Sequence, residues 1–304
     1  MPAEILLQSA LLFATPILLA ALGEVLVERA GILNIGMEGM MLAGAFGAAI
    51  ASEATGDAWV GIVVGGFTGM AVGGIFAFAS ITLLADQILV GTAINLLALG
   101  ATGALFRAIR GGSGSYFLLP PLEVIEVPFL ARIPVLGPGL FTQNILVLLA
   151  LLLVVVFSFV LKRTGLGLRI RALGDHPQAA ASLGIAVARE RTLLVLFAGA
   201  LAGLGGTCLA LATATTFVEG LTAGRGFIAL AVVVFGRWSP WGVFLGALLF
   251  GLASTMQYEL QASSFELPHQ LALMLPYLAT LAVLLLVRGR SREPRELAAR
   301  YDRL

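Results

Sequence analysis

The chain has 304 residues, 59% of them hydrophobic and 12% charged, with a formal net charge of +1 and a mean hydropathy of +1.01. Water-soluble domains carry about 25% charged residues, so this composition excludes a soluble fold. The near-neutral balance, without interleaved aromatic and basic residues, gives no sign of nucleic acid binding. Apolar runs such as 145–161 do not alternate, which excludes an outer-membrane barrel and leaves an all-α, polytopic transmembrane bundle embedded in the lipid bilayer.

About twenty apolar residues cross a bilayer. In chain order the sequence predicts spans at 5–27, 32–51, 59–84, 88–109, 144–161, 192–214, 226–235, 243–257 and 271–287. The short pair around 236–242 reads as two brief helices or one broken element, so eight to ten membrane segments are expected. No basic stretch precedes the first run, so 5–27 is expected to stay as a helix and not to be cleaved as a leader. Residues 1–288 read as one transmembrane domain, and 289–304 as a polar tail, amphipathic or frayed at the membrane surface.

Three polar stretches interrupt the apolar runs. The first, residues 23–41, holds Glu24, Glu28, Arg29, Asn34 and Glu38 among several glycines. Asn34 and Glu38 are four apart and so predicted to share a helical face. Glycine-broken backbone is tolerated at membrane depth only beside a cavity or under protein. An intramembrane carboxylate nominates a functional site; the alternative is a Glu38 bonded to a neighbouring helix as structural glue. Glu28 and Arg29 read as an interfacial ion pair. In the second stretch, 86–97, Thr92 and Asn95 offer neutral hydrogen bonds suited to hydroxyl or carbonyl groups, or to a neighbouring helix. In the third, 219–230, Gly224-Arg225-Gly226 opens a helix and Phe227 can present its ring to a sugar or base.

The loop 162–191 cannot lie in lipid. Its six basic residues would each cost about 2.5–3.5 kcal/mol at the bilayer centre. Asp175 and Pro177 are helix-start residues, and the run of small residues through Ala179 and Ala180 to Leu183 is closed by Gly184. A short helix outside the bilayer reads as a docking knob for a soluble partner; the plainer reading is a basic loop that only fixes topology. Basic residues concentrate here and after the last span, so both regions are expected in the cytoplasm. Counting back puts the N-terminus outside. It also puts Arg107, Arg110 and Arg132 outside, against the rule, in a Gly- and Pro-rich loop, 110–143, that reads as an ordered cap.

Absences narrow the chemistry. Lys162 is the only lysine and no glycine-rich loop precedes it, so the chain has no P-loop. The histidines, His176 and His269, suggest no metal cluster, no nucleophile elbow is present, and the lone Cys208 reads as packing.

The runs Gly31-Ile-Leu-Asn34-Ile-Gly36-Met-Glu38-Gly39, Gly91-Thr92-Ala-Ile-Asn95, Arg171-Ala-Leu-Gly-Asp175-His176-Pro177 and Thr222-Ala-Gly-Arg-Gly-Phe227 occur in that order. Together they resemble the permease subunits of bacterial ABC importers. The similarity covers residues 23–287 and is strongest to the nucleoside and simple-sugar branch served by a basic-membrane-protein-type binding lipoprotein. Ribose and branched-chain amino acid permeases share these regions in looser form. The resemblance implies a multi-pass plasma (inner) membrane permease with no cofactor and no enzymatic activity of its own. Its partners would be an ATPase carrying ATP and Mg, a second permease, different and longer, and an extracytoplasmic substrate-binding lipoprotein. Asn34, Glu38, Thr92, Asn95 and Phe227 would then line the path. Asp175, His176, Pro177, Ala179, Ala180, Leu183 and Gly184 would form the cytoplasmic coupling helix. An ATP-independent transporter or channel, with Glu38 as a proton relay, is the reading of a different class; it would have no reason to keep the 162–191 module.

Overall fold

The computed structural model describes residues 2–111, 117–128, 136–262, 274–276, 278, 293–299 and 301. The elements, in order, are α1 (Ala3–Arg29), α2 (Met37–Thr55), α3 (Ala58–Ala77), α4 (Gln87–Arg110), β1 (Val124–Glu126), α5 (Leu136–Phe141), β2 (Thr142–Asn144), α6 (Ile145–Arg163), α7 (Gly165–Asp175), α8 (Pro177–Ser182), α9 (Val187–Cys208), α10 (Arg225–Phe235) and α11 (Pro240–Ala262). Single π-helical turns, Phe78–Thr82 and Leu209–Thr213, extend α3 and α9.

Six of these helices are long and apolar enough to cross a membrane: α1, α3, α4, α6, α9 and α11. The buried α2 and the short α10 fill two more predicted spans. The predicted span 271–287 lies outside the described residues, apart from 274–276 and 278.

A helix apolar all round belongs at the centre of a bundle, and α1 sits there, against α9, α10 and α11. Beside it, α2, α3 and α9 pack at nearly backbone contact. A Cβ added at Gly44 would overlap Gly203 Cα, one at Gly69 would overlap Gly199 O, and one at Gly206 would overlap Met41 O. Glycines here give close approach where no hydrophobic force separates lipid from protein.

The predicted helix at 32–51 is displaced. Gly31, at φ +87°, ends α1, and residues 30–36 run irregularly before α2 begins at Met37. Asn34 therefore lies in the break, and it does not share a helical face with Glu38. The predicted span 192–214 begins earlier, at Val187, so Arg191 enters the protein. Its guanidinium donates to Ala30 O and Leu173 O, both at 2.9 Å.

In the cap, β1 and β2 pair antiparallel, Ile125 opposite Gln143. Arg107 and Arg110, which count against the topology rule, are both neutralised. Arg107 pairs with Glu219 at 2.7 Å, and Arg110 pairs with Glu53 and lies 4.0 Å over the Phe117 ring. The described part of the terminal segment, 293–299 and 301, is held against the bundle. Glu296 N donates to Gly174 O (2.9 Å) and Ala298 N to Gly31 O (3.1 Å), while Leu297 and Tyr301 pack against the core.

Candidate translocation site and coupling surface

At 1.5 Å per residue the eleven residues of α10 span about 16 Å, roughly half the hydrocarbon thickness. A helix that starts inside a bilayer must find partners there for its first N–H groups. Glu38, in the first turn of α2, supplies them. Its Oε1 accepts from Thr222 Oγ1 (2.5 Å) and Gly224 N (2.8 Å), and its Oε2 accepts from Gly226 N (2.7 Å). One carboxylate thus serves the positive ends of two converging helices, α2 and α10. Gly226 is required by this contact, because a Cβ there would sit 2.6 Å from Glu38 Cα.

The break before α2 is satisfied by side chains from both sides. Leu33 N donates to Gln87 Oε1 (2.7 Å), Asn34 N to Glu24 Oε1 (2.9 Å), Gly36 N to Asn34 Oδ1 (3.1 Å) and Gly39 N to Asn95 Oδ1 (2.8 Å). Asn95 Nδ2 returns a bond to Ile35 O (2.9 Å). Glu24, Gln87 and Thr222 were not among the residues that sequence reasoning nominated. The available signal was that each is polar within an apolar run beside a glycine-broken helix.

The structure divides the predicted path residues. Asn34 is fully buried and holds the break together, which removes it from any open wall. Glu38 and Asn95 meet at the start of α2, both as ties between elements. Thr92 is exposed on α4 but spends its hydroxyl on Ile88 O (2.8 Å). Phe227, in the first turn of α10, is 48% exposed, and Leu96 and Leu99 of α4 are also exposed. Glu28 and Arg29 converge on Trp238: Glu28 accepts from its indole N–H, and Arg29 donates to its carbonyl at 3.1 Å.

The predicted coupling helix, 175–184, is α8 at Pro177–Ser182; Asp175 is instead the last residue of α7, and His176 joins the two. Gly184, at φ +83°, makes the turn after α8. Two of the predicted docking residues face inward: Pro177 is buried and Ala180 is 2% exposed. The outer surface is His176, Gln178, Ala179, Ser182, Leu183 and Gly184. Asp175 Oδ1 accepts from Arg295 N (3.4 Å), and Arg295 Nη1 lies 3.4 Å from His176 Nε2. A tryptophan at Ala180 would overpack the core by about 1–3 kcal/mol. Ala180→Trp is therefore expected to reduce folded protein on size-exclusion, while Leu183→Asp leaves that yield unchanged.

A family model described as "Branched-chain amino acid transport system / permease component" matches residues 6–284. The guanosine ABC transporter permease protein NupQ of Bacillus subtilis (strain 168) is 36% identical, over 96% of this chain and 94% of its own length. The nucleoside ABC transporter permease protein NupC of Lactococcus lactis subsp. cremoris is 35% identical, over 98% and 96%. A Haloferax volcanii chain assigned to glucose ABC transport is 38% identical, over 92% and 90%. Among solved structures, an inward-facing transporter described as of the metal-chelate ABC type matches with a TM-score of 0.50 and 19% identity, over 92% and 85%; that likeness shows the fold alone. The chain is a multi-pass membrane protein and belongs to the family of branched-chain amino acid transport system permease components.

Proposed function

We propose that the chain is the permease subunit of an ATP-binding-cassette importer and forms part of the path for a neutral nucleoside, or a simple sugar, delivered by a binding lipoprotein. The observation that carries the reading is the Glu38 joint. The positive ends of α2 and α10 are already balanced by the protein's own carboxylate. Arg107 is paired with Glu219, and Arg225 is turned onto the carbonyls of Leu221 and Thr222. Such a site suits an uncharged, hydrogen-bonding solute better than an amino acid, which brings a carboxylate and an ammonium. The guanosine, nucleoside and glucose transport named for the relatives supports the same class.

The remaining parts follow from this reading. The loop 162–191 and the C-terminus face the cytoplasm, in a plasma (inner) membrane. The outer face of α8, around Ala179 and Leu183, receives the ATPase, which carries ATP and Mg and performs the hydrolysis; this chain holds no cofactor. A second, longer permease completes the path. Glu38 as a proton relay is not favoured, because both its oxygens are engaged by fixed donors.

The test is co-purification with the ATPase. Wild type is expected to retain it, and Leu183→Asp, which changes an 83%-exposed side chain, to lose it at unchanged membrane yield. Retention by Leu183→Asp would move the docking surface elsewhere.

A further inference from the structure

The break before α2 is held at its near end as well as at Asn34. Gly31 stands where three other elements meet. A Cβ there would come within 2.7 Å of Arg191 Nη2 at the start of α9, 3.1 Å of Glu296 O in the terminal segment and 3.2 Å of Gly174 Cα in α7. The contact with α7 is backbone on backbone, because a Cβ at Gly174 would overlap Arg29 O.

Hydrogen bonds from two sides fasten this junction. Arg191, 2% exposed, donates from Nε to Ala30 O in the break and from Nη2 to Leu173 O in α7, both at 2.9 Å. A planar guanidinium fork can span two carbonyls in this way, whereas a lysine ammonium is a single point on a flexible stem. From the other side, Glu296 N donates to Gly174 O (2.9 Å) and Ala298 N to Gly31 O (3.1 Å). Arg295 N adds a bond to Asp175 Oδ1 at 3.4 Å. The same segment compensates the buried cation. Glu296 contributes a favourable charge, and the Tyr301 ring stands 5.8 Å from the guanidinium. Arg191 and the terminal segment thus each join the end of α7 to the start of the break.

We propose that this double clamp carries movement of the coupling surface to the translocation site, with Arg191 as a positioning residue. On one side, α7 ends one residue, His176, before α8, whose outer face is the proposed ATPase dock. On the other, the break runs from Gly31 through the bonded Asn34 and Gly36 into α2 and the Glu38 joint. Glycine at 31 and 174 leaves no side chain between the two backbones. A displacement of α7 is then passed to the break and not absorbed by rotamer changes. Without the clamp, α7 would slide past the break and leave the Glu38 joint in place. The inference rests on the proposed importer function, because it requires a partner that moves α8.

The experiment uses the assembled complex in proteoliposomes, with nucleoside uptake and ATP hydrolysis measured on the same sample. Arg191→Lys keeps the buried charge but loses the fork. Ala298→Pro removes the N–H that reaches Gly31 O, and the φ of +61° at this position is closed to proline. Both variants are expected to retain the ATPase on co-purification and to hydrolyse ATP at the basal wild-type rate. Uptake per ATP hydrolysed falls about tenfold. A clamp that only holds the fold predicts otherwise: uptake and hydrolysis fall together with folded protein, and their ratio stays at the wild-type value. If one variant fails to fold, the other decides. An unchanged ratio in either folded variant, or loss of folded protein in both, overturns the inference. Wild type without ATP-dependent uptake would overturn the transport reading instead, before any variant is compared.

Discussion

Glu38→Leu abolishes transport, while Glu38→Gln retains part of it. Leucine leaves the N–H groups of Gly224 and Gly226 and the Thr222 hydroxyl without their acceptor. Each unsatisfied buried group costs about 1–3 kcal/mol, so the three together cost α10 about 3–9 kcal/mol of attachment to α2. At about 1.4 kcal/mol per tenfold, that is at least about a hundredfold fewer molecules with α10 seated. Glutamine keeps one oxygen for Thr222 and Gly224 but turns its amide donors toward Gly226 N–H. The loss is then one bond, and uptake falls about tenfold. Uptake normalised to membrane-inserted protein measures both. Equal loss in the two variants would show that the charge, and with it titration, matters more than the acceptors. Full activity of Glu38→Leu would remove the joint from the mechanism.

Gly206→Val prevents the protein from folding. A Cβ at this position overlaps the Met41 carbonyl, so α2 and α9 would have to separate along a seam where Gly44 and Gly203 also touch. Backbone cannot rotate away as a side chain can, and the cost exceeds the 1–3 kcal/mol of ordinary overpacking. Gly66→Ala and Gly74→Ala are the controls. A Cβ there would meet flexible leucine side chains first, Leu204 Cδ2 at 3.4 Å and Leu196 Cδ2 at 3.3 Å, with no backbone atom nearer than Ala200 O at 4.0 Å. The expected result is loss of the monodisperse peak on size-exclusion for Gly206→Val, with the controls unchanged. A monodisperse Gly206→Val would mean that the α2–α9 seam is looser than this geometry requires.

The membrane helices were legible because apolar run length alone decides what can cross lipid. The boundaries of α4, α6 and α10 agree with the hydropathy pattern within two residues, and Pro177 and Gly184 mark the start of α8 and the turn after it. The break before α2 was legible as a glycine-rich interruption, but its course was not. Whether residues 32–36 are helical depends on Glu24 and Gln87, which reach Asn34 N and Leu33 N from other helices. No periodicity within the segment reports those partners. The same limit explains Ala180, since a six-residue helix presents no pattern that says which face its own protein covers. It also explains the terminal segment, whose polar composition reads as solvated. Its anchoring comes from the carbonyls of Gly31 and Gly174, distant in sequence. Asn34, Glu38 and Asn95 stand out in the sequence as polar residues within apolar runs, and the structure makes each of them a tie between elements.

The most direct measurement is competition for ATP-dependent uptake in proteoliposomes that contain this chain with the proposed ATPase, partner permease and binding lipoprotein. Accumulation of a radiolabelled nucleoside is expected. Excess unlabelled nucleoside should suppress it, a simple sugar should replace the nucleoside as the second candidate, and leucine should have no effect, because the positive ends of α2 and α10 are already balanced by Glu38. Accumulation of leucine without nucleoside or sugar uptake, or nucleoside uptake that continues without ATP, would contradict an importer path built for neutral solutes.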